Sequence, residues 1–262
     1  MSDETPLERL LRHAVTEPGM RPEFYRRLLD AEVLIPIEKP KGHSGNRLAP
    51  GTTVKVRTLR RFDGVEFIPF FTSAERFDDA GMRSECVRMP VRALFESRSD
   101  IYFHINPFSL YNRDFGPTDI ASLLTLDGIL APIPVFIRQR ATVSIGEYED
   151  RPGVLFDALC ALLARHVKVR AAYCALLTMP DEKVKRSCLI ALDVFEGADV
   201  YRIFNDIGTV VTDFMVPTSL PVDLAVRPQD DTLVAQYLAT AKPFYEIGLA
   251  SQFLPDDPSV VS

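Results

Sequence analysis

Apolar positions in the first half of the chain follow two different periods. Leu7, Leu10, Leu11 and Ala14 recur at helical spacing, and Thr5, Pro6 and Glu8 supply a capping box with proline in the first turn. Pro18-Gly19 ends that helix; Pro22 starts a second, with Phe24, Leu28 and Ala31 on its inner side. Residues 32–37 read as a buried strand, and residues 52–62 and 65–71 as two strands joined at Asp63-Gly64, a two-residue hairpin signal. Across 101–105, apolar Ile101, Phe103 and Ile105 alternate with Tyr102 and His104, which makes a further strand. Helices are expected at 73–80, 90–97 and 117–125. Two short helices in series cannot bury their own apolar stripes, so a sheet must lie beneath them and the class is α+β.

Gly128, Pro132 and Pro134 break the pattern with no helical period, which places a domain boundary over 128–140. The expected plan is an N-terminal mixed-sheet domain over 1–130, a linker over 131–140 and a second domain over 141–262. The second half reads strand 141–145, helix 152–165, strands 168–177 and 187–195, helix 199–211, strand 220–226 and helix 230–241. That βαββαβ order with a terminal helix predicts a ferredoxin-like domain.

Hydrophobic residues at 47% and charged residues at 25% are the proportions of a globular protein with a substantial core. The net charge of −6 speaks against general nucleic-acid binding. It is unevenly spread: residues 1–140 carry 20 basic and 19 acidic side chains, and residues 141–262 carry 10 and 17. Met1-Ser2-Asp3-Glu4 leads into no apolar export segment, and the run Ile129 to Ile137, interrupted by two prolines, is too short to span a bilayer. A cytoplasmic protein without membrane contact is expected. Cys86, Cys160, Cys174 and Cys188 form no CxxC pair, so they are expected to be buried thiols, with no metal and no cofactor.

Most candidate chemistry falls short of its required spacing. Cys86 and Arg92 have the Cys-x5-Arg interval of a phosphatase loop, but Pro90 lacks an N–H, no glycine lets the backbone wrap an anion, and Glu85 would raise the thiol pKa. Gly42-His43-Ser44-Gly45 is no nucleophile elbow, and His13, His104 and His166 lie apart. Two segments stand out as binding candidates. Between Lys39 and Phe62 no acidic residue interrupts Lys39, Lys41, Arg47, Lys55, Arg57, Arg60 and Arg61. Lys55, Arg57 and Arg61 share one strand face opposite Val54 and Val56; this is either a basic ribbon for an acidic protein, a nucleic-acid backbone or an anionic ligand, or a solvated edge. Asn106, Ser109 and Arg113 stand on a polar loop after a strand, which is either a binding loop or a structural turn.

A set of short signatures adds a family. Arg21-Pro22-Glu23-Phe24-Tyr25 with Leu28-Leu29, Val33-Leu34-Ile35-Pro36, Ile68-Pro69-Phe70-Phe71-Thr72-Ser73, Ile105-Asn106-Pro107-Phe108-Ser109 and Pro243-Phe244-Tyr245 occur in one order. Together they resemble the SseB family, named for enhanced serine sensitivity, over roughly residues 6–125 and 141–245. The resemblance implies a bacterial two-domain protein and no particular reaction. The expected function is a non-enzymatic interaction or adaptor protein, with a protein partner, acidic if the ribbon is used, or a second copy of itself. One alternative is an amino-acid-binding regulatory module, suggested by the ferredoxin-like reading and the family name. The other is a thiol enzyme using Cys86.

Overall fold

The computed structural model describes residues 4–38, 55–125, 144–149, 151–179, 185–214, 220–227 and 233–248. The chain divides into two compact units, Met1–Leu130 and Ala131–Ser262. The boundary segment expected at 128–140 lies outside the described residues, as do Lys39, Lys41, Arg47 and the Gly42–Gly45 loop. Among the described residues there are eight α-helices and three sheets, an α+β protein. None of these helices is long and apolar enough to cross a membrane.

In the N-terminal unit, α1 (Pro6–Thr16) starts as its sequence predicts. Thr5 accepts from the Glu8 amide, and the Glu8 carboxylate accepts from the Thr5 amide. Helix α2 (Arg21–Leu29) follows and puts Phe24, Tyr25 and Leu28 fully out of water. Strand β1 (Glu32–Glu38) is buried from Val33 to Ile37 and lies between β2 (Lys55–Val56) and β5 (Glu85–Pro90), antiparallel to both. A second sheet has the order β3 (Leu59–Arg60), β4 (Glu66–Phe70), β6 (Tyr102–Ile105), β7 (Arg113–Phe115), with β4 and β6 parallel. Helices α3 (Ala74–Asp79), α4 (Val91–Ser97) and α5 (Pro117–Thr125) complete the unit. Leu34 and Phe71 exchange both backbone hydrogen bonds and stitch the two sheets together.

The inner face of the second sheet carries Phe70, Phe103 and Phe115, which meet Phe95 of α4 at ring separations of 5.1–6.1 Å. Burying each such ring contributes about 1.5–3 kcal/mol, and Phe70→Ala would cost about 3–5 kcal/mol. The family signatures over residues 21–29, 33–36 and 68–71 are therefore mostly core.

Two expectations for this unit need correction. The strand expected over 52–62 is not one strand in its described part. Arg57 closes the β1 pairing by donating to the Pro36 carbonyl, and at Leu59 the chain begins pairing with β4 instead. The turn at Asp63-Gly64 is also longer than two residues. Arg61 N bonds to Val65 O and Gly64 N to Arg61 O, and Gly64 adopts φ +87, so Phe62, Asp63 and Gly64 form a three-residue loop with glycine in the left-handed position.

The C-terminal unit contains β8 (Ser144–Gly146), α6 (Gly153–Leu163), β9 (Val169–Met179), β10 (Lys185–Val194), α7 (Val200–Phe214), β11 (Val222–Val226), α8 (Leu233–Thr240) and β12 (Tyr245–Glu246). The element order matches the sequence reading, but the pairing is not ferredoxin-like. In that arrangement strands joined through a helix are separated by another strand. Here helix-linked neighbours pair directly, β8 with β9 antiparallel and β10 with β11 parallel. The reason is the length of β9: its 11 residues let β8 bind one end of its outer edge and β12 the other. Phe244 of the last signature meets Phe156 edge-on at 4.8 Å and donates its amide to Ala172 O, which docks the segment after α8.

Candidate functional site

The site is built where β4 and β6, a parallel pair, both end. The loops after such strands are favoured binding positions. Here those loops hold two of the family signatures, Thr72-Ser73 and Asn106-Pro107-Phe108-Ser109. Asn106 is 1% exposed and sits at φ +46. Its amide N–H extends the ladder to Phe70 O, its side-chain oxygen accepts from the Thr72 amide at 3.0 Å, and its Nδ2 donates to Thr72 Oγ1 at 2.9 Å. The Thr72 hydroxyl donates to Glu8 Oε1 at 2.9 Å.

Glu8 is the keystone of this network. Its Oε2 caps α1, while Oε1 accepts from the Thr72 and Ser73 hydroxyls and from Arg76 Nε at 2.9–3.1 Å. Burial pushes the Glu8 carboxyl up, and the Thr5 amide with the Thr72 and Ser73 hydroxyls outweighs it, so the group sits below the ordinary glutamate value. Oε1 accepts three hydrogen bonds and Oε2 one, so Glu8 ties both loops to the start of α1. A cavity of about 240 Å³ lies beside it, lined by Glu4, Leu11, Arg76, Asn106 and Tyr111 among others.

The loop that this network holds has an unusual shape. Ser109 N donates to Asn106 O, closing a turn with Pro107 second and Phe108 third, and Phe108 is at φ +69. The third position of such a turn favours glycine. A bulky aromatic there costs about 1–2 kcal/mol of backbone strain. Packing does not repay it, since Phe108 is 76% and Leu110 83% exposed. At the other end, Asn112 Nδ2 donates to Ser109 O, and its side-chain oxygen meets His104 Nε2 at 3.0 Å. His104 Nδ1 lies 2.8 Å from Asp114 Oδ1 but out of line for a hydrogen bond.

The predicted site residues distribute unevenly around this loop. Asn106 and Ser109 are in it. Arg113 is on β7 with its guanidinium 5.1 Å from the Tyr25 ring, where it covers the core. Of the four ribbon cations among the described residues, Lys55, Arg60 and Arg61 have carboxylate partners. Lys55 pairs with Glu38 at 3.0 Å and Arg60 with Glu66 at 2.7 Å. Arg61 pairs with Asp63 and Asp114 and lies 5.4 Å from the Tyr102 ring centroid. Arg57 is exposed and has no ion-pair partner among the described residues. Cys86, expected as a buried thiol, is exposed on β5, opposite Pro36, and not in a loop. A strand's backbone amides point alternately to its two sides, here toward β1 and toward the open edge of the sheet, and do not converge on a phosphate. Partial desolvation of its sulfur and Asp78 push the Cys86 thiol up against a smaller opposing pull from Arg88. Among the described residues no three His, Cys, Asp or Glu side chains converge as metal ligands.

Sequence reasoning identified Asn106 and Ser109 but not Glu8, Thr72, Phe108 or Leu110 as parts of one arrangement. The available signal was two large apolar residues inside an otherwise polar loop. Comparison with known proteins covers both units. Residues 7–122 match the SseB protein N-terminal domain and residues 137–246 the SseB protein C-terminal domain. Protein SseB of Escherichia coli (strain K12) is 26% identical over 242 residues, which is 92% of this chain and 91% of that protein. Protein SseB of Shigella flexneri is similar to the same extent. No solved structure matches the chain.

Proposed function

The chain belongs to the SseB family, and we propose that it works as a non-enzymatic interaction protein of the cytoplasm whose N-terminal unit docks a protein partner on the loop 106–112. One observation carries this reading. A left-handed backbone, fixed from beneath by Asn106, Thr72 and Glu8, holds Phe108 and Leu110 out in water. Strain kept at a loop whose large apolar side chains, Phe108 and Leu110, stay exposed is a mark of a binding site. The partner is a protein with an apolar pocket wide enough for an aromatic ring, since aromatic anchors seated in pockets dominate such interfaces. The basic ribbon takes a smaller part than its composition suggests, because Lys55, Arg60 and Arg61 already have carboxylate partners. The amino-acid-binding alternative loses its support from fold, because the C-terminal sheet is not ferredoxin-like.

The test is affinity purification from the native host, followed by reconstitution with the purified partner. The Phe108→Ser, Leu110→Ser double variant should raise the Kd at least tenfold, and the wild-type Kd should change little with salt. A reconstituted complex that binds the double variant as tightly as wild type, or one that falls apart with salt, would remove this reading.

A further inference from the structure

A cavity of about 910 Å³ opens in the C-terminal unit where the parallel strands β10 and β11 end. Crevices beyond the carboxyl ends of parallel strands are the usual ligand positions of open sheets. Three charged side chains converge there: Arg170 at the start of β9, Asp193 at the end of β10 and Arg227 just after β11. Arg170 lies over the Phe195 ring, 4.6 Å from its centroid, and Arg227 over Tyr173 at 5.3 Å. Each ring contact restrains its guanidinium, so less rotamer freedom is left to lose on binding.

Donors outnumber acceptors at this point. Asp193 faces Arg170 at 3.5 Å and Arg227 at 3.6 Å, too far for hydrogen bonds. Among the described residues the one hydrogen bond made by either guanidinium runs from Arg227 Nη1 to Tyr173 Oη at 3.1 Å. Each guanidinium has five N–H donors in a fixed fork, the geometry that matches a carboxylate or phosphate. The adjacent loop is held in place by Lys168, whose Nζ donates to the carbonyls of Glu196 and Gly197 at 3.3 and 3.0 Å. The first turn of α7 is not the anion donor, because Asp199 Oδ1 already accepts from the Arg202 amide there.

We infer that Arg170 and Arg227 form a binding site for a small molecule bearing one carboxylate or phosphate group, with Asp193 as the internal counter-ion that the ligand displaces. Phe195, Val226 and Ala235 give the cavity an apolar wall for the rest of that molecule. Glu196 on the rim, in a half of the chain with 10 basic and 17 acidic side chains, turns away polyanions such as nucleic acid. This site is independent of the 106–112 loop.

The experiment is titration of the full chain with inorganic phosphate and, separately, acetate at constant low ionic strength, followed by NMR shifts of residues around Phe195. Saturable binding with a Kd of about 1 mM is expected for at least one probe, a value that corresponds to a bare anionic group. Tighter phosphate identifies a phosphate ester as the natural class; tighter acetate identifies a carboxylate. The Arg170→Gln, Arg227→Gln variant should weaken binding at least tenfold. Asp193→Asn should tighten it several-fold, because it removes the competing carboxylate. Absence of saturation with both probes overturns the proposal, as does a folded double glutamine variant that binds like wild type. If that variant does not fold, an unchanged Kd in Asp193→Asn overturns it instead.

Discussion

Asn106 and Thr72 hold each other by two hydrogen bonds, amide to side-chain oxygen at 3.0 Å and Nδ2 to hydroxyl at 2.9 Å, across loops 34 residues apart. The pair fixes where two strands end and where the exposed loop begins. Two costs follow from losing Asn106, and they can be separated. Asn106→Ala removes the bonds and leaves a residue with a Cβ at φ +46, for a loss of about 2–4 kcal/mol. Asn106→Gly removes the bonds but tolerates the backbone, and should be less destabilised by about 1 kcal/mol. Urea denaturation measures both; equal losses would mean that the left-handed conformation carries no strain.

Glu8 makes the same junction sensitive to acid. Its carboxyl lies below the ordinary glutamate value in the folded chain. The stability it contributes is therefore fully present above the unfolded value of about 4.3, and is lost as the pH falls through the lower folded value. Glu8→Gln leaves the Thr72, Ser73 and Arg76 donors with a weaker acceptor and should cost about 1–3 kcal/mol at pH 7. The deficit relative to wild type should shrink below pH 4. Parallel stability curves for the two proteins down to pH 3 would show that Glu8 is not the linked group.

What the sequence made legible was local. Thr5 and Glu8 announce their capping box within four residues, and the helices at 73–80, 90–97 and 117–125 coincide with α3, α4 and α5 to within a residue at each end. Pairing was hidden because period-two alternation shows that a strand is half-buried and not which strand lies beside it. Strand β5 was missed for a related reason. Its half-buried positions are Glu85, Val87 and Met89, and the exposed Cys86 and Arg88 between them read as loop chemistry. The pairing of the ribbon is not legible in composition, because Arg61 finds Asp114 53 residues later, far outside the acid-free run from Lys39 to Phe62. Glu8 was seen as a cap and not as a keystone, since Thr72 is 64 residues away.

Cys86 should behave as an ordinary, slow thiol. The residue is exposed, but partial desolvation of its sulfur and the nearby Asp78 both disfavour the thiolate, and only the thiolate reacts. Alkylation at pH 7 should be slower than that of a free cysteine peptide, and Cys86→Ser should alter stability by less than about 0.5 kcal/mol. Labelling faster than the peptide would restore a catalytic reading of this residue.

The sequence places Arg57 and Arg61 on one strand face, and the structure separates them. Arg57 has no ion-pair partner among the described residues, whereas Arg61 lies between Asp63 and Asp114 and against Tyr102. Arg57→Glu should leave the Tm unchanged. Arg61→Glu would set a third carboxylate among two and should lower it, the more so at low salt, where like charges are least screened. Thermal melts at low and high ionic strength check this; equal Tm values for the two variants would return Arg61 to the solvated face.

Phe108 is where stability and binding should part. Its backbone at φ +69 costs about 1–2 kcal/mol for any side chain with a Cβ. Phe108→Gly relieves that cost, while the extra freedom of glycine in the unfolded chain takes back about 0.4–1 kcal/mol. The strain term is the larger, so the glycine variant should be more stable than wild type by about 0.5–1 kcal/mol. Phe108→Ala keeps the strain and removes a ring that is 76% exposed, so its stability should stay within about 0.5 kcal/mol of wild type. If the ring is the docking contact, both variants should lose partner affinity to the same degree, although the glycine variant is the more stable and the alanine variant folds as well as wild type. Chemical denaturation and binding of the reconstituted partner, measured on the same three proteins, decide it. A glycine variant that is both less stable and equally able to bind would show that the turn is shaped by packing and that the exposed ring serves no partner.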